Sequence, residues 1–234
     1  MPTITASRPK VLLAWSSGKD SAWSLHVLRQ QAEVEVVGLL TTIDQAADRV
    51  AMHAVRTELL LAQAAAAGLP LWPVPVPWPC SNAAYESGMA QAMARARDAG
   101  ITAIAFGDLF LQDIRQYREG RLRGSGLTPL FPLWGMATDA LAAAMVREKL
   151  QARLTCIDPT KLDPTFVGRE FDAALLADLP ASVDPCGEHG EFHTFAYAGP
   201  IFSRPIPIRS GEIVRRDGFI FADLLPGARP NATG

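Results

Sequence analysis

Along the chain, apolar positions fall alternately into short unbroken runs and longer stretches of helical spacing. Residues 11–15, Val-Leu-Leu-Ala-Trp, form one such run, the pattern of a parallel strand covered on both faces. A polar hexapeptide follows, Ser16-Ser17-Gly18-Lys19-Asp20-Ser21. Ala22, Leu25 and Leu28 then recur at helical spacing to about Gln31. Residues 34–40 predict a second strand ending at Thr41-Thr42, and an Ala/Leu-rich helix over 52–67 closes at Gly68. Residues 71–76 alternate, but Pro73 and Pro75 push that strand to a sheet edge. Ser81 or Asn82 caps a helix running to Ala99. A fourth strand at 101–106 ends at Gly107-Asp108, and an arginine-rich helix and a loop over 124–136 follow. Thr138 caps another helix to about Gln151, and 153–157 reads as a fifth strand.

Strand and helix alternate throughout, so the expected fold is α/β, a Rossmann-like, doubly wound, five-stranded parallel sheet. The order 3-2-1-4-5 places the proline-laced strand at an edge and sets strands one and four side by side where the connections reverse. Ligands bind outside the carboxyl ends of the strands at such a switch point. The end of strand one (Ser16 to Ser21) would therefore face the end of strand four (Gly107, Asp108). From Asp158 the pattern changes. A short helix at 166–176 precedes β-like segments at 191–197, 206–208, 213–214 and 219–221, with a hairpin signal at Arg216-Asp217-Gly218. Two domains are expected, residues 1–157 binding a nucleotide and 158–234 forming a smaller C-terminal α+β lobe with a β-hairpin and a flexible tail.

Composition narrows the function classes. Of 234 residues, 49% are hydrophobic and 20% charged, as in ordinary soluble globular proteins. No apolar run reaches the roughly 18 residues of a membrane span, and the first ten residues lack a signal core, so a cytoplasmic protein with no membrane partner is expected. A net charge of −2 disfavours generic nucleic-acid binding. Arg115, Arg118, Arg121 and Arg123 read either as a solvated helix face or as a phosphate or partner contact. Three scattered cysteines, Cys80, Cys156 and Cys186, make neither a disulfide framework nor a CxxC pair.

The hexapeptide carries the first candidate chemistry. A loop that feeds a helix N-terminus presents unpaired N–H groups and a positive dipole end to an anion. Gly18 is expected to take the turn's unusual dihedrals, Ser16, Ser17 and Ser21 add hydroxyls, and Lys19 adds charge. The spacing is not that of the GxxxxGK[ST] loop. A serine-rich structural turn and a phosphate cradle are both compatible with these residues. The hexapeptide is, however, similar to the SGGKDS loop of the ATP pyrophosphatases, which cleave ATP between the α- and β-phosphates, with Ser17 in place of the first glycine. That resemblance implies ATP and Mg²⁺ as cofactors, with Ser16, Ser17, Gly18, Lys19, Asp20 and Ser21 on the phosphates and Asp20 and Asp108 as metal ligands. Gly107, Asp108, Thr41, Thr42 and His53 complete the expected nucleotide contacts.

A second cluster lies at residues 184–195, Asp-Pro-Cys-Gly-Glu-His-Gly-Glu-Phe-His-Thr-Phe. Cys186, His189 and His193 are borderline-soft ligands, which would suit zinc, though a fourth ligand is not evident. The segment also reads as a hydrogen-bonded turn docking the lobe onto the sheet. If a strand follows Gly190, Glu191 and His193 share one face, and Phe192 and Thr194 the other. The pattern CGExGEFHT is similar to the signature of the diphthine ammonia ligase family, a branch of the ATP pyrophosphatases. Phe106-Gly107-Asp108, Glu119, Pro132-Leu133-Trp134 and Phe166-Val167-Gly168-Arg169 add to that resemblance, and residues 49–56 resemble its bacterial members. Leu122 stands where many relatives carry cysteine.

The resemblance implies an AMP- and pyrophosphate-forming carboxylate–ammonia ligase, with Lys19, Glu188, Glu191 and His193 as catalytic residues. In the family the named reaction amidates a modified histidine of translation elongation factor 2. The expected partners are ATP, ammonia and a carboxylate acceptor, either a small molecule or a protein side chain, with a homodimer left open. The competing readings are a tRNA-modifying ATP pyrophosphatase, a nucleotide sensor without catalysis, and a metal hydrolase built on Cys186, His189 and His193.

Overall fold

A computed structural model describes residues 7–44, 49–50, 55–77 and 80–228. The first strand, β1 (Lys10–Ala14), runs directly into α1 (Lys19–Gln31). Then come β2 (Glu35–Asp44), β3 (Arg49–Val50), α2 (Thr57–Ala67), β4 (Leu71–Val76), α3 (Asn82–Asp98) and β5 (Ala103–Ala105). The chain continues through α4 (Gln112–Leu122), β6 (Thr128–Leu130), α5 (Thr138–Arg147) and β7 (Gln151–Ile157). A 3₁₀ turn (Pro164–Phe166), α6 (Ala173–Asp178), β8 (Phe192–Ala198), β9 (Ile208–Arg216) and β10 (Phe219–Pro226) complete it.

The first sheet has six strands, five of them parallel in the order β4-β2-β1-β5-β6, with β3 antiparallel to the far end of β2. The architecture is thus α/β and Rossmann-like, and the parallel strands follow the expected 3-2-1-4-5 order. Its two faces sort by the twofold period of β1: Val11 and Leu13 pack with α1 and α2, while Leu12 packs with α3 and α4. Pro73 and Pro75 lie on the edge strand β4 and are exposed, while Val74 and Val76 between and after them are buried. Gly68 closes α2 in the left-handed region, and Ser81 caps α3 by accepting from the Ala84 amide at 3.2 Å.

The expected fifth strand is corrected. The parallel sheet ends on Thr128-Pro129-Leu130, inside the segment read as a loop, and β7 instead joins a second, antiparallel sheet in the order β8-β7-β10-β9. Three residues containing a proline carry almost no strand signal, and only an edge position tolerates the missing amide. The division expected at residue 157 falls at the carboxyl end of β7. The hairpin between β9 and β10 turns on Asp217 and Gly218, both with positive φ, as a two-residue primed turn requires.

The second sheet shares one core with the α1 and α2 face: Leu154, Phe192, Phe195 and Ile220 belong to the same buried cluster as Val11 and Leu25. Asp223 of β10 is clamped at the junction by Arg49 at 2.9 Å and Arg56 at 2.6 Å. This packing brings the amino end of β8 against the turn between β1 and α1.

Candidate active site

The β1–α1 turn owes its shape to a residue other than the one expected. Gly18 has an ordinary extended conformation (φ −84°, ψ 175°), while Ser17 is left-handed at φ +70°. A serine there costs on the order of 1 kcal/mol relative to glycine. Its surroundings hold it in place. The Ser17 carbonyl accepts from the Ala196 amide of β8 at 3.0 Å and from Gln63 Nε2 at 2.9 Å, and the Ser17 hydroxyl bonds the Ser16 carbonyl. Gly18 is needed for space: a Cβ there would sit 3.2 Å from the Thr194 carbonyl.

Gln63, fully buried on α2, is the hub of this arrangement. It accepts from Trp15 Nε1 at 3.0 Å and donates to both the Ser17 and Ala196 carbonyls. Thr194 is the second tie, its hydroxyl accepting from the Lys19 amide at 3.0 Å and so capping the start of α1. Sequence reasoning missed Gln63 and assigned no role to Thr194. The signal for the first was a lone amide in an Ala/Leu helix. For the second it was the threonine inside the quoted CGExGEFHT pattern.

Lys19 is 2% exposed, and its ammonium joins the two motifs. Nζ donates to both Asp20 oxygens at 2.9 and 3.0 Å and to the Cys186 carbonyl, with the Phe192 and Phe171 rings at 5.3 and 5.6 Å. Burial opposes its charge, but Asp20, Cys186 and Glu188 outweigh it and hold the pKa above the ordinary lysine range. Glu188 accepts from the Leu109 amide at 2.8 Å. Burial pushes its pKa up to about 7, with the Leu109 N–H opposing and the charges of Asp20 and Asp108 adding. Asp108 is likewise raised, by burial against the pull of Arg118, whose Nε lies 3.4 Å away. Asp20 and Glu188 thus both act on one buried ammonium, and Asp108, paired with Arg118, acts in turn on each of those two carboxylates. Gly107 permits this approach, since a Cβ there would lie 3.2 Å from Ser24 Oγ and 3.3 Å from the Asp20 backbone.

The loop bearing Glu188 is shaped by Asp184. Its Oδ1 accepts from the amides of Cys186 at 2.9 Å and Glu188 at 3.2 Å, and its Oδ2 accepts from the Thr138 hydroxyl at 2.6 Å. Thr138, expected as a helix cap, is the first residue of α5, and the cap position is Ala137. Gly187 is left-handed at φ +72°, where a Cβ would meet the Phe192 carbonyl at 2.8 Å. Glu191 is 2% exposed; one oxygen accepts from the Asp184 amide at 3.0 Å, and the other has no hydrogen-bond partner among the described residues. Phe192 and Thr194 both turn toward Lys19, so that face of β8 meets the cradle. Burial and the Lys19 charge push the His193 pKa down to about 4, leaving a neutral imidazole at pH 7.

The zinc reading finds no geometry behind it. Burial pushes the Cys186 thiol up to about 12, His189 packs edge-on against Phe110 at 5.2 Å, and among the described residues no three His, Cys, Asp or Glu side chains group as metal ligands. A Mg²⁺ ion would suit the crowded carboxylates only with oxygens from a bound phosphate, since both Asp20 oxygens are on Lys19. β2 runs on past the expected end at Thr41-Thr42 to Asp44; within it Thr41 is buried with its hydroxyl lacking a partner among the described residues, and Thr42 is half-buried. His53 lies outside the described residues. Glu119 pairs with Arg115 at 2.8 Å on α4, and Arg115 also stacks over Phe131 and Trp134.

Comparison with known proteins bears on the whole arrangement. Residues 9–129 match the diphthamide synthase N-terminal domain and residues 138–222 the diphthamide synthase C-terminal domain. Diphthine–ammonia ligases of Bos taurus and Homo sapiens are each 30% identical over 120 residues, and that of Mus musculus is 28% identical. The aligned part is 49% of this chain and 45% of the bovine and human proteins, so the chain spans about half the length of the curated relatives it matches. Both conserved-domain matches converge on Lys19, one through the turn that carries it and the other through the loop that binds its ammonium, and the chain belongs to the diphthamide synthase family, whose relatives here are named diphthine–ammonia ligases.

Proposed function

We propose that the protein is an ATP-dependent carboxylate–ammonia ligase that forms AMP and pyrophosphate. The observation that carries this reading is the position of Lys19, bound at its amide by Thr194 and at its ammonium by Cys186, which makes the turn and the Glu/His loop one site. The family relationship supports the ligase class.

A carboxylate does not condense with ammonia at neutral pH, because its oxygen is a poor leaving group. Attack of an acceptor carboxylate on the α-phosphorus of ATP forms a P–O bond and expels pyrophosphate. Ammonia then attacks the acyl carbon and expels AMP. Lys19, Ser16, Gly18 and Ser21 stabilise the charge on the departing pyrophosphate. Removing one donor from a preorganised site of this kind costs about 2.7–4 kcal/mol in the transition state. Asp20, released from Lys19, and Asp108 are the carboxylates that would hold a Mg²⁺ ion, which would supply positive charge to offset that of the phosphates. Thr41 and Thr42, in the carboxyl-terminal half of β2, take the adenosine. Glu188, with a pKa near 7, takes the proton from ammonium as a general base matched to neutral pH. Glu191 positions that loop through the Asp184 amide, and His193, in β8, is held as a neutral imidazole beside the Lys19 charge.

With Mg-ATP, ammonium and a panel of carboxylic acids, the protein is expected to release AMP and pyrophosphate. Lys19→Ala is expected to lower that rate by about 10²–10³-fold. Release of ADP and phosphate would reject the mechanism.

A further inference from the structure

On the opposite face of the parallel sheet from α1, a cavity of about 310 Å³ opens between α3 and α4. Its floor is apolar: Met93, Ile104, Phe106 and Leu122 are buried, and Met89 is half-buried. Its walls carry four arginines, Arg97, Arg118, Arg121 and Arg123. Two are committed. Arg118 stacks over Phe106 at 5.1 Å and pairs with Asp108 at 3.4 Å, and Arg121 pairs with Glu86 at 3.0 Å. Arg97 and Arg123 make no ion pair among the described residues, so the mouth keeps two positive charges above an apolar floor.

From this arrangement we infer that the cavity is a binding site for a small apolar organic anion, such as an aryl or branched alkyl carboxylate. An uncharged apolar molecule would leave the two guanidiniums unused, and a bare inorganic anion would leave the apolar floor wet. Only a molecule with both parts matches both surfaces. Arg97 and Arg123 are exposed at the mouth, so each adds a modest, solvent-screened attraction for a carboxylate on top of the burial of its apolar part. The cavity touches the cradle side through Arg118, which lines it and pairs with Asp108. Its floor belongs to the α3 and α4 side of the sheet, whereas Phe171 and Phe192 beside Lys19 belong to the other side. The inference stands or falls without the nucleotide reading.

The methionines give a test that reads location. In protein labelled at the methionine methyl groups, 4-phenylbutyrate is expected to shift the Met89 and Met93 signals saturably and to leave Met136 and Met145 unmoved. The neutral 4-phenylbutyramide is expected to bind about tenfold more weakly, as is phenylbutyrate to Arg97→Gln/Arg123→Gln. Both arginines are exposed, so the double variant should fold, and an otherwise unchanged methionine spectrum would verify it. Equal affinity for the amide, undiminished binding to the double variant, or no saturable shift at Met89 and Met93 would overturn the inference.

Discussion

Two tight turns meet at Lys19, and each is organised by one polar side chain in a different environment. Gln63 holds the β1–α1 turn from a position of 0% exposure. Asp184 holds the Glu188 loop from a half-buried position. Where water is excluded, a lost partner leaves bare polar groups; where water can enter, it replaces much of what is lost. Gln63→Ala is therefore expected to have the larger effect. It strands Trp15 Nε1 and the Ala196 carbonyl and opens a cavity, at a cost on the order of 4 kcal/mol in urea unfolding. A loss below about 1 kcal/mol would break the contrast.

Asp184→Ala removes three acceptor contacts, yet solvent reaches the loop, so a loss of about 2 kcal/mol is expected. Asp184→Asn keeps one carbonyl oxygen and should recover about half of it. If the alanine variant were as costly as Gln63→Ala, burial would not be what separates the two turns.

The same contrast explains what could be read from the sequence. The strand order was legible because the runs at 11–15 and 101–106 are apolar on both faces and the prolines mark an edge. The fifth strand was not, because Thr128-Pro129-Leu130 is too short to show a period, and β7 shows the same apolar run whichever sheet it joins. The hexapeptide announced the turn, but which residue turns was settled by contacts 46 and 133 residues apart in the chain, from Gln63 to Ser17 and from Gln63 to Ala196. Local propensity assigns the positive φ to Gly18; the Thr194 carbonyl reserves Gly18 for close approach and leaves the strain on Ser17. Ser17→Gly should accordingly be neutral to stabilising by up to about 1 kcal/mol, because relieved strain is offset by added freedom in the unfolded chain. A clear destabilisation would show that the Ser17 hydroxyl contributes more than the strain costs.

The smallest effect in the wild-type protein concerns how the Glu188 loop responds to pH. Glu188 is raised from 4.5 to about 7, so between those values the folded chain holds a proton that the unfolded chain has released. Its contribution to stability is present below pH 4.5 and is lost as pH rises toward 7. His193 is lowered from 6.5 to about 4, so the unfolded chain takes a proton that the folded chain refuses. Its contribution is present above pH 6.5 and is lost as pH falls toward 4. The two slopes oppose each other over the shared interval, and each is bounded by about 1.4 kcal/mol per pH unit for one proton and reduced further by solvent. These two groups thus leave the melting temperature of the wild-type protein nearly flat there. Glu188→Gln should uncover a rise in stability from pH 4.5 to 6.5, and His193→Asn a fall over the same range. Were both variants as flat as the wild type, neither group would be buried as the structure has it, and Glu188 would lose the near-neutral pKa that suits it to deprotonating ammonium.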